Sequence, residues 1–235
     1  MAAERNLELA PRPDPTRGKA PPLRAEIFEL TEIKQHFDEN IAAIRDQFSL
    51  ADDLLAQHKE EHAKNVWRSQ IMFLDSALDF YVHELSKYGI LKIFNGEWGK
   101  TEKYKNLGLT MEVLEQGILH AEDQNWLADF LDRTLGKDTY MNYDSVKDQL
   151  NLVGIKVQDV ADRAFYVRGS TDPTKEKMQR QLNLLFFRRN RIGHQADRES
   201  KNAQRSDIAK AEVEEFLDDV EKIVSAIHQC ATEKT

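Results

Sequence analysis

The sequence predicts an all-α protein, and three observations carry this prediction. Apolar residues recur every three or four positions over long stretches, which places them on one face of a helix. The apolar–polar alternation that is typical of strands is almost absent. Glycines and capping residues divide the apolar stripes into segments of helical length.

Residues 1–22 hold five of the six prolines and are predicted to be a flexible tail, because they bury too little apolar surface to order themselves. Residues 23–235 are predicted to form a single helical domain. An apolar stripe from Leu23 to Phe48 predicts a first, long amphipathic helix. Ser49 is a candidate cap for a second helix, which Gly89 is expected to end.

Residues 89–109 contain four glycines with several lysines and aromatic residues, and predict an irregular connection. Three shorter helices are expected near 110–120, 124–135 (capped by Asp123, ended by Gly136) and 145–153, and a fourth segment ends at Gly169. Asp172-Pro173 predicts the start of a helix with Met178, Leu182, Leu185 and Phe186 on its apolar stripe. A final helix is predicted between Ile208 and Ile227.

Composition excludes several classes of protein. Of 235 residues, 40% are hydrophobic and 31% are charged. No apolar run approaches the roughly 18 residues that span a bilayer, and the N-terminal segment lacks a secretory signal. Cys230 is the only cysteine, so neither an intrachain disulfide nor a cysteine-based zinc site can form. These features predict a reduced, cytoplasmic protein that does not bind membranes.

The net charge of −8 argues against broad, non-specific affinity for nucleic acid. The charge is unevenly distributed, however, because eight basic and three acidic residues between Lys175 and Lys201 give that segment +5. A basic segment in an acidic chain could attract a polyanion locally. The alternative is a basic helix end that interacts favourably with the dipole of its own helix.

The segment 189–194, "RNRIGH", carries the candidate chemistry. Asn190 and His194 are four residues apart and share a helix face, and the long side chain of Arg189 can curl towards them. Histidine titrates near neutral pH and can act as a general acid or base. Arginine offers a fixed fork of donors to a phosphate, so the trio suits phosphodiester cleavage.

An Arg-Asn-x-x-x-His motif after an apolar helix, in an all-α chain, resembles the HEPN superfamily of ribonucleases, most of all its RiboL-PSP-type branch. The resemblance covers residues 24–230, although only residues 189–194 form the specific motif. It implies a HEPN-like helical bundle and a metal-independent endoribonuclease that needs no cofactor. Its active site would combine two motifs across a homodimer, and its products would carry 2′,3′-cyclic phosphates. Many relatives are toxins or anti-phage defence effectors.

Further residues are candidates for the same site. Arg188 and Arg191 are expected to bind RNA phosphates, the alternative being solvated charges. Asp75 and Asp79 are four residues apart beside an apolar stripe, and either is a possible orienting carboxylate or merely a solvated acid.

A metal site is the remaining alternative near this region of the sequence. His58 and His62 have the spacing of a helical metal pair, but no H-E-x-x-H motif accompanies them and no metal site is expected.

Two positions depart from the family pattern or modify it. Ala196 stands where toxins with a nucleotidyltransferase antitoxin carry a tyrosine, so neutralisation through that tyrosine is not expected. An antitoxin or regulatory protein of another kind stays a possible partner. Gly193 directly precedes the histidine and loosens the helix there.

Two other functions compete with a ribonuclease. The first is a non-catalytic helical module that binds RNA, a nucleotide or a protein. The second is a structural dimer in which the stripe of residues 24–48, including Ile33 and Phe37, packs against a second copy.

Overall fold

The computed structural model describes residues 26–119, 125–136, 139–199 and 201–234. Within these ranges the chain has nine α-helices and no strand, which confirms the all-α prediction. The helices are α1 (Leu30–Ala56), α2 (Glu60–Phe94), α3 (Glu102–Lys105), α4 (Met111–Leu119), α5 (Asn125–Leu135), α6 (Tyr143–Leu152), α7 (Val157–Phe165), α8 (Thr174–Gln195) and α9 (Lys210–Thr232). The predicted tail, Leu23 and Asp123 lie outside the described residues.

The four long helices α1, α2, α8 and α9 form an antiparallel bundle. Across α1 and α2, the Gln70 side-chain amide donates to the Ile44 carbonyl at 2.8 Å. Across α8 and α9, the Gln181 amide donates to Asp219 at 2.6 Å. The buried apolar side chains form one hydrophobic cluster, to which α4–α7 also contribute. Burial of this apolar surface supplies the main driving force for assembling the bundle.

The first helix extends past Ser49, the residue that was predicted to cap the second helix. Ser49 lies inside α1, where its hydroxyl donates to the Asp46 carbonyl at 2.8 Å, so its predicted capping role is wrong. A serine hydroxyl that bonds to the preceding turn lets the residue occupy a helix interior at little cost. The chain turns instead at residues 57–59, with His58 in a left-handed conformation at φ 58°.

Gly89 does not end α2, which continues to Phe94. A Cβ atom at Gly89 would lie 2.5 Å from Val153 Cγ1 and 3.0 Å from Trp98, so the glycine permits close packing. The chain leaves the helix at Gly96, whose φ of 77° is one that glycine adopts readily. The predicted stop was therefore seven residues early.

The stripe of α1 faces the core of its own chain. Ile33 and Phe37 are both 0% exposed, and Phe37 packs edge-on against Tyr81 with ring centroids 5.7 Å apart. A second copy cannot reach these side chains without unpacking the bundle. The alternative of a structural dimer through this stripe is therefore wrong.

Candidate active site at the end of helix α8

The motif occupies the last two turns of α8. Met178, Leu182 and Leu185 are 0% exposed and hold the helix in the core, while Phe186 is only partly buried. Proline at the N-cap position, Pro173, precedes the first residue of the helix, as the sequence predicted. The same helix thus supplies a rigid support and, at its end, the polar residues.

Arg189 is held by a buried carboxylate from α2. Its Nε lies 3.2 Å from Oδ2 of Asp75, which is 0% exposed, and its Nη1 donates to Asn190 Oδ1 at 3.1 Å. The Arg189 side chain itself remains 21% exposed. Arg189 therefore contacts a buried carboxylate and keeps part of its side chain exposed to solvent. Asp75 stays a candidate orienting carboxylate.

Asp75 is poorly satisfied for a buried carboxylate. Neither oxygen has a hydrogen-bond partner among the described residues, because the contact with Arg189 lacks hydrogen-bond geometry. Burial raises the pKa of Asp75 to about 7, against the opposing attraction of Arg189 and with a smaller contribution from Asp79. The charge of the Arg189–Asp75 pair is thus expected to change near neutral pH.

Asp79 does not reach the motif, so its candidate role as an orienting carboxylate is wrong. It accepts a hydrogen bond from the Tyr140 backbone amide and lies 3.6 Å from the His83 Nε2 atom. Asp79 lies one helical turn further along α2 than Asp75, where its neighbours are α5 and the segment before α6 instead of the end of α8.

His194 is exposed in the last turn of α8. Its side chain makes no hydrogen bond or ion pair within the described part of the chain. Beside it, a Cβ at Gly193 would lie 3.4 Å from Met72 Cε, an ordinary contact distance. A single chain therefore presents one oriented arginine and one imidazole that nothing holds in place.

Arg188 is buried, at 8% exposure, and the prediction that it binds RNA is wrong for this arrangement. Its Nη1 donates to Asp197 at 2.8 Å and its Nη2 to the Asp207 carbonyl at 2.7 Å. Asp197, which is 0% exposed, also accepts from Arg68 Nε at 2.8 Å. We call Arg68, Arg188 and Asp197 the Asp197 clamp. It fixes the end of α8 to α2 and to the following loop.

Of the two arginines predicted to bind RNA phosphates, Arg191 is the one that is not buried. It is partly exposed, and its side chain has no ion-pair or hydrogen-bond partner within the described ranges. The rest of the +5 segment is divided between the first turns of α8 and the loop that follows the helix. Arg189 and Arg191 are the partly exposed basic residues of the motif itself.

Exposed apolar side chains that the sequence analysis did not predict lie on both α2 and α8. Phe73 and Phe80, at 54% and 37% exposure, line a groove between α2 and α1, whereas Leu184 and Phe187, at 48% and 61% exposure, lie on α8. On α8 these residues continue the spacing of Arg191 and His194, at steps of three and four residues. Clustered exposed apolar side chains of this kind mark interaction surfaces.

The two histidines with the spacing of a helical metal pair do not lie on one helix. His58 lies in the turn between α1 and α2, so it does not share a helix face with His62. Among the described residues, no group of three or more His, Cys, Asp or Glu side chains could hold a metal ion.

Comparison with known proteins returned no match: no family model, no curated protein and no solved structure matches this chain. In addition, no helix in the described part of the chain is long and apolar enough to cross a membrane.

Proposed function

We propose that the protein is a metal-independent endoribonuclease that acts as a homodimer, as its resemblance to the HEPN superfamily implies. The observation that carries the proposal is the geometry of Arg189. Its side chain contacts the buried Asp75 carboxylate and Asn190, and it stays 21% exposed at the same helix end as the exposed His194. Such an arrangement offers a phosphate a cation and an imidazole at one helix end.

The roles follow from the chemistry of RNA cleavage. The 2′-oxygen bonds to phosphorus while the bond from phosphorus to the 5′-oxygen breaks. One His194 takes the 2′-proton and a second protonates the departing 5′-oxygen, which leaves a 2′,3′-cyclic phosphate. Arg189 stabilises the charge on the phosphorane oxygens. Asn190 and Asp75 hold Arg189, and Arg191 binds a flanking phosphate.

The requirement for two histidines is the chemical reason for a homodimer. One chain supplies a single His194, and the exposed apolar face of Leu184 and Phe187 continues along α8 to Arg191 and His194. A second copy that covers this face would bring two motifs together. Burying these two side chains removes apolar surface from water, which favours association.

Cleavage in the absence of metal tests the activity. Purified protein is incubated with a structured RNA in EDTA, beside the variants His194→Ala and Arg189→Ala. We expect parental cleavage to persist in EDTA and to fall at least about 100-fold in each variant, because general acid–base catalysis contributes about 10²–10⁴ in rate. Loss of parental cleavage in EDTA, or full activity in both variants, overturns the assignment.

Matched controls exclude effects of charge or general surface changes. His62→Ala removes an exposed histidine at the start of α2, and Arg180→Ala removes an exposed arginine near the start of α8. Both variants should retain parental activity. Protein that retains RNA in a salt-sensitive manner, without cutting it, supports the competing function of a non-catalytic binding module.

Mixing the parent with an excess of the His194→Ala variant tests whether the site is shared. A mixed dimer keeps only one His194, so a site that needs two should lose activity as parental chains exchange into mixed dimers. If each chain holds a complete site, the variant leaves the parental activity unchanged.

Charging the apolar face tests the interface separately. Phe187→Glu should convert the dimer to a monomer in sedimentation experiments and abolish cleavage. Leu50→Glu alters an exposed leucine on α1 that is 53% exposed and should change neither property.

We further propose that the activity serves as a toxin or an anti-phage defence effector. Induced expression of the parent should arrest bacterial growth, whereas the His194→Ala variant should not.

A further inference from the structure

A cavity lies near the C-terminal end of α2, away from the motif. It has a volume of about 280 Å³, and Ile90 forms part of its wall. Ile90 follows Asp75 by fifteen residues on the same helix, which corresponds to about 22 Å along the axis. The cavity is therefore separate from the proposed nuclease site, and no step of that chemistry uses it.

The interior of the cavity is apolar and largely aromatic. Phe94 and Trp126 meet edge to face with ring centroids 5.8 Å apart, and Tyr104 supplies a third ring. Buried aliphatic side chains, Ile90 at 0% and Leu127 at 3% exposure, complete the wall. Aromatic side chains arranged in this way favour a flat ring as the occupant, since rings pack edge-to-face or offset.

Two lysines line the same cavity. Lys105 pairs with Glu102 at 2.6 Å, whereas Lys100 is exposed and has no acidic partner in the part of the chain that the structure describes. Between residues 92 and 105 the chain carries four lysines and two glutamates, although its net charge is −8. An unpaired ammonium beside an apolar cavity favours an anionic group on the occupant.

The wall that carries these residues is anchored. Trp98 is 3% exposed and packs edge-on against Tyr88 with ring centroids 5.7 Å apart. The Thr101 hydroxyl donates to the Leu152 carbonyl at 2.8 Å and accepts from the Tyr104 amide at 3.0 Å. The backbone that carries Lys100 and Tyr104 is thus held in position without a ligand, as in most small-molecule sites.

We propose that this cavity binds a small aromatic anion, with its ring against Phe94 and Trp126 and its carboxylate paired with Lys100. The aromatic walls select the ring, and the lysine selects its charge. The site is independent of the proposed nuclease activity.

The probe for this site is 1-naphthylacetate, titrated into the full chain by calorimetry. For a ligand of this size we expect a dissociation constant between about 10 µM and 1 mM. The neutral 1-naphthylacetamide has the same ring and should bind at least about fivefold more weakly. No binding of the acid at 2 mM, or equal binding of acid and amide, overturns the proposal.

Two pairs of variants locate the site. Lys100→Met should weaken binding at least about fivefold, whereas Lys175→Met, at an exposed lysine on α8, should not. Leu109→Trp should fill the cavity and block binding, whereas Leu50→Trp should leave it unchanged; the replaced leucines are 43% and 53% exposed. Thermal unfolding confirms that each variant is folded. Equal binding within either pair contradicts the assignment.

Discussion

Two buried aspartates that contact arginines near the end of α8 differ in how many hydrogen bonds they accept. Asp197 and Asp75 are both 0% exposed, and each faces an arginine of α8. Asp197 accepts hydrogen bonds from Arg68 and Arg188, both at 2.8 Å. Asp75 lies 3.2 Å from Arg189 Nε and accepts no hydrogen bond from a described residue. The first aspartate is fully paired, and the second is not.

The difference separates stability from candidate function. A buried carboxylate with two charge-assisted hydrogen bonds locks its neighbours in place. A buried carboxylate with one imperfect contact resists ionisation, as the raised pKa of Asp75 reflects. The Asp197 clamp thus fixes the helix end to α2, whereas the charge next to the partly exposed Arg189 depends on the ionisation of Asp75.

The largest effect should come from breaking the clamp. Asp197→Ala leaves Arg68 buried without its counter-charge and leaves Arg188 with only Glu212, at 3.2 Å, and we expect a loss of about 3–5 kcal/mol in the free energy of unfolding. Urea denaturation measures this. Asp218→Ala, which removes an exposed partner of Arg45, is the control and should cost less than about 1 kcal/mol. Similar losses in both variants would contradict the role of the clamp.

The second-largest effect should be a difference in unfolding free energy between variants of the adjacent Arg188 and Arg189. Arg188→Met removes a buried member of the clamp and should cost about 2–3 kcal/mol in unfolding free energy. Arg189→Met removes a side chain that is 21% exposed and should cost less than about 1 kcal/mol, because a protonated Asp75 needs no counter-charge. Urea unfolding of both variants at pH 6 checks the ranking. The reverse order would show that the Arg189–Asp75 pair carries the stability.

The pH dependence of the unfolding free energy should reveal the ionisation of Asp75. Since its folded pKa of about 7 exceeds the ordinary 3.8, the folded state retains a proton that the unfolded state has lost between these values. Stability therefore falls as pH rises through this window, by up to about 1.4 kcal/mol per pH unit. Relative to Asp75→Asn, the parent should lose about 2 kcal/mol between pH 5 and 7 and then level off.

The control for the pH series is Asp172→Asn, which alters an exposed aspartate before α8. Its difference from the parent should stay constant over this range. A constant difference for Asp75→Asn as well would mean that Asp75 ionises normally.

The smallest effect should come from Gly193→Ala. The added Cβ meets Met72 at an ordinary contact distance of 3.4 Å, and alanine reduces the conformational freedom of the unfolded chain. We expect a gain of about 0.4–1 kcal/mol in unfolding free energy. If His194 must move to reach RNA, the same variant should cleave more slowly. Destabilisation would indicate that Met72 cannot adjust.

Sequence patterns predicted the helices better than their ends. The stripes of α1, α2, α8 and α9 followed from apolar spacing, and Pro173 marked the start of α8. Ser49 and Gly89 misled because both residue types also occur inside helices. A serine can bond to its own helix, and a glycine can admit a close neighbour such as Val153. The close approach of Val153 to Gly89 depends on a contact between residues 64 positions apart, which the local sequence does not contain.

The candidate site was predictable only in part. The spacing of Arg189, Asn190 and His194 placed the motif at a helix end, and Asp75 was one of two candidate carboxylates. Sequence did not separate Asp75 from Asp79, which differ by one turn of α2. Arg68 and Asp197, 129 residues apart, carried no signal beyond their charge. The aromatic and lysine content of residues 89–109 was visible, but Trp126 joins the cavity from α5.

The sequence by itself determined the all-α class, the main helices and the position of the motif, because helical periodicity is a local property that apolar spacing records. Only the tertiary structure decided which charges are buried and paired. Successive residues on a helix point about 100° apart, so Arg188 and Arg189 face different neighbours. Packing of α8 against α2 and the loop after it buries the first arginine against Asp197 and leaves the second at the surface beside Asp75.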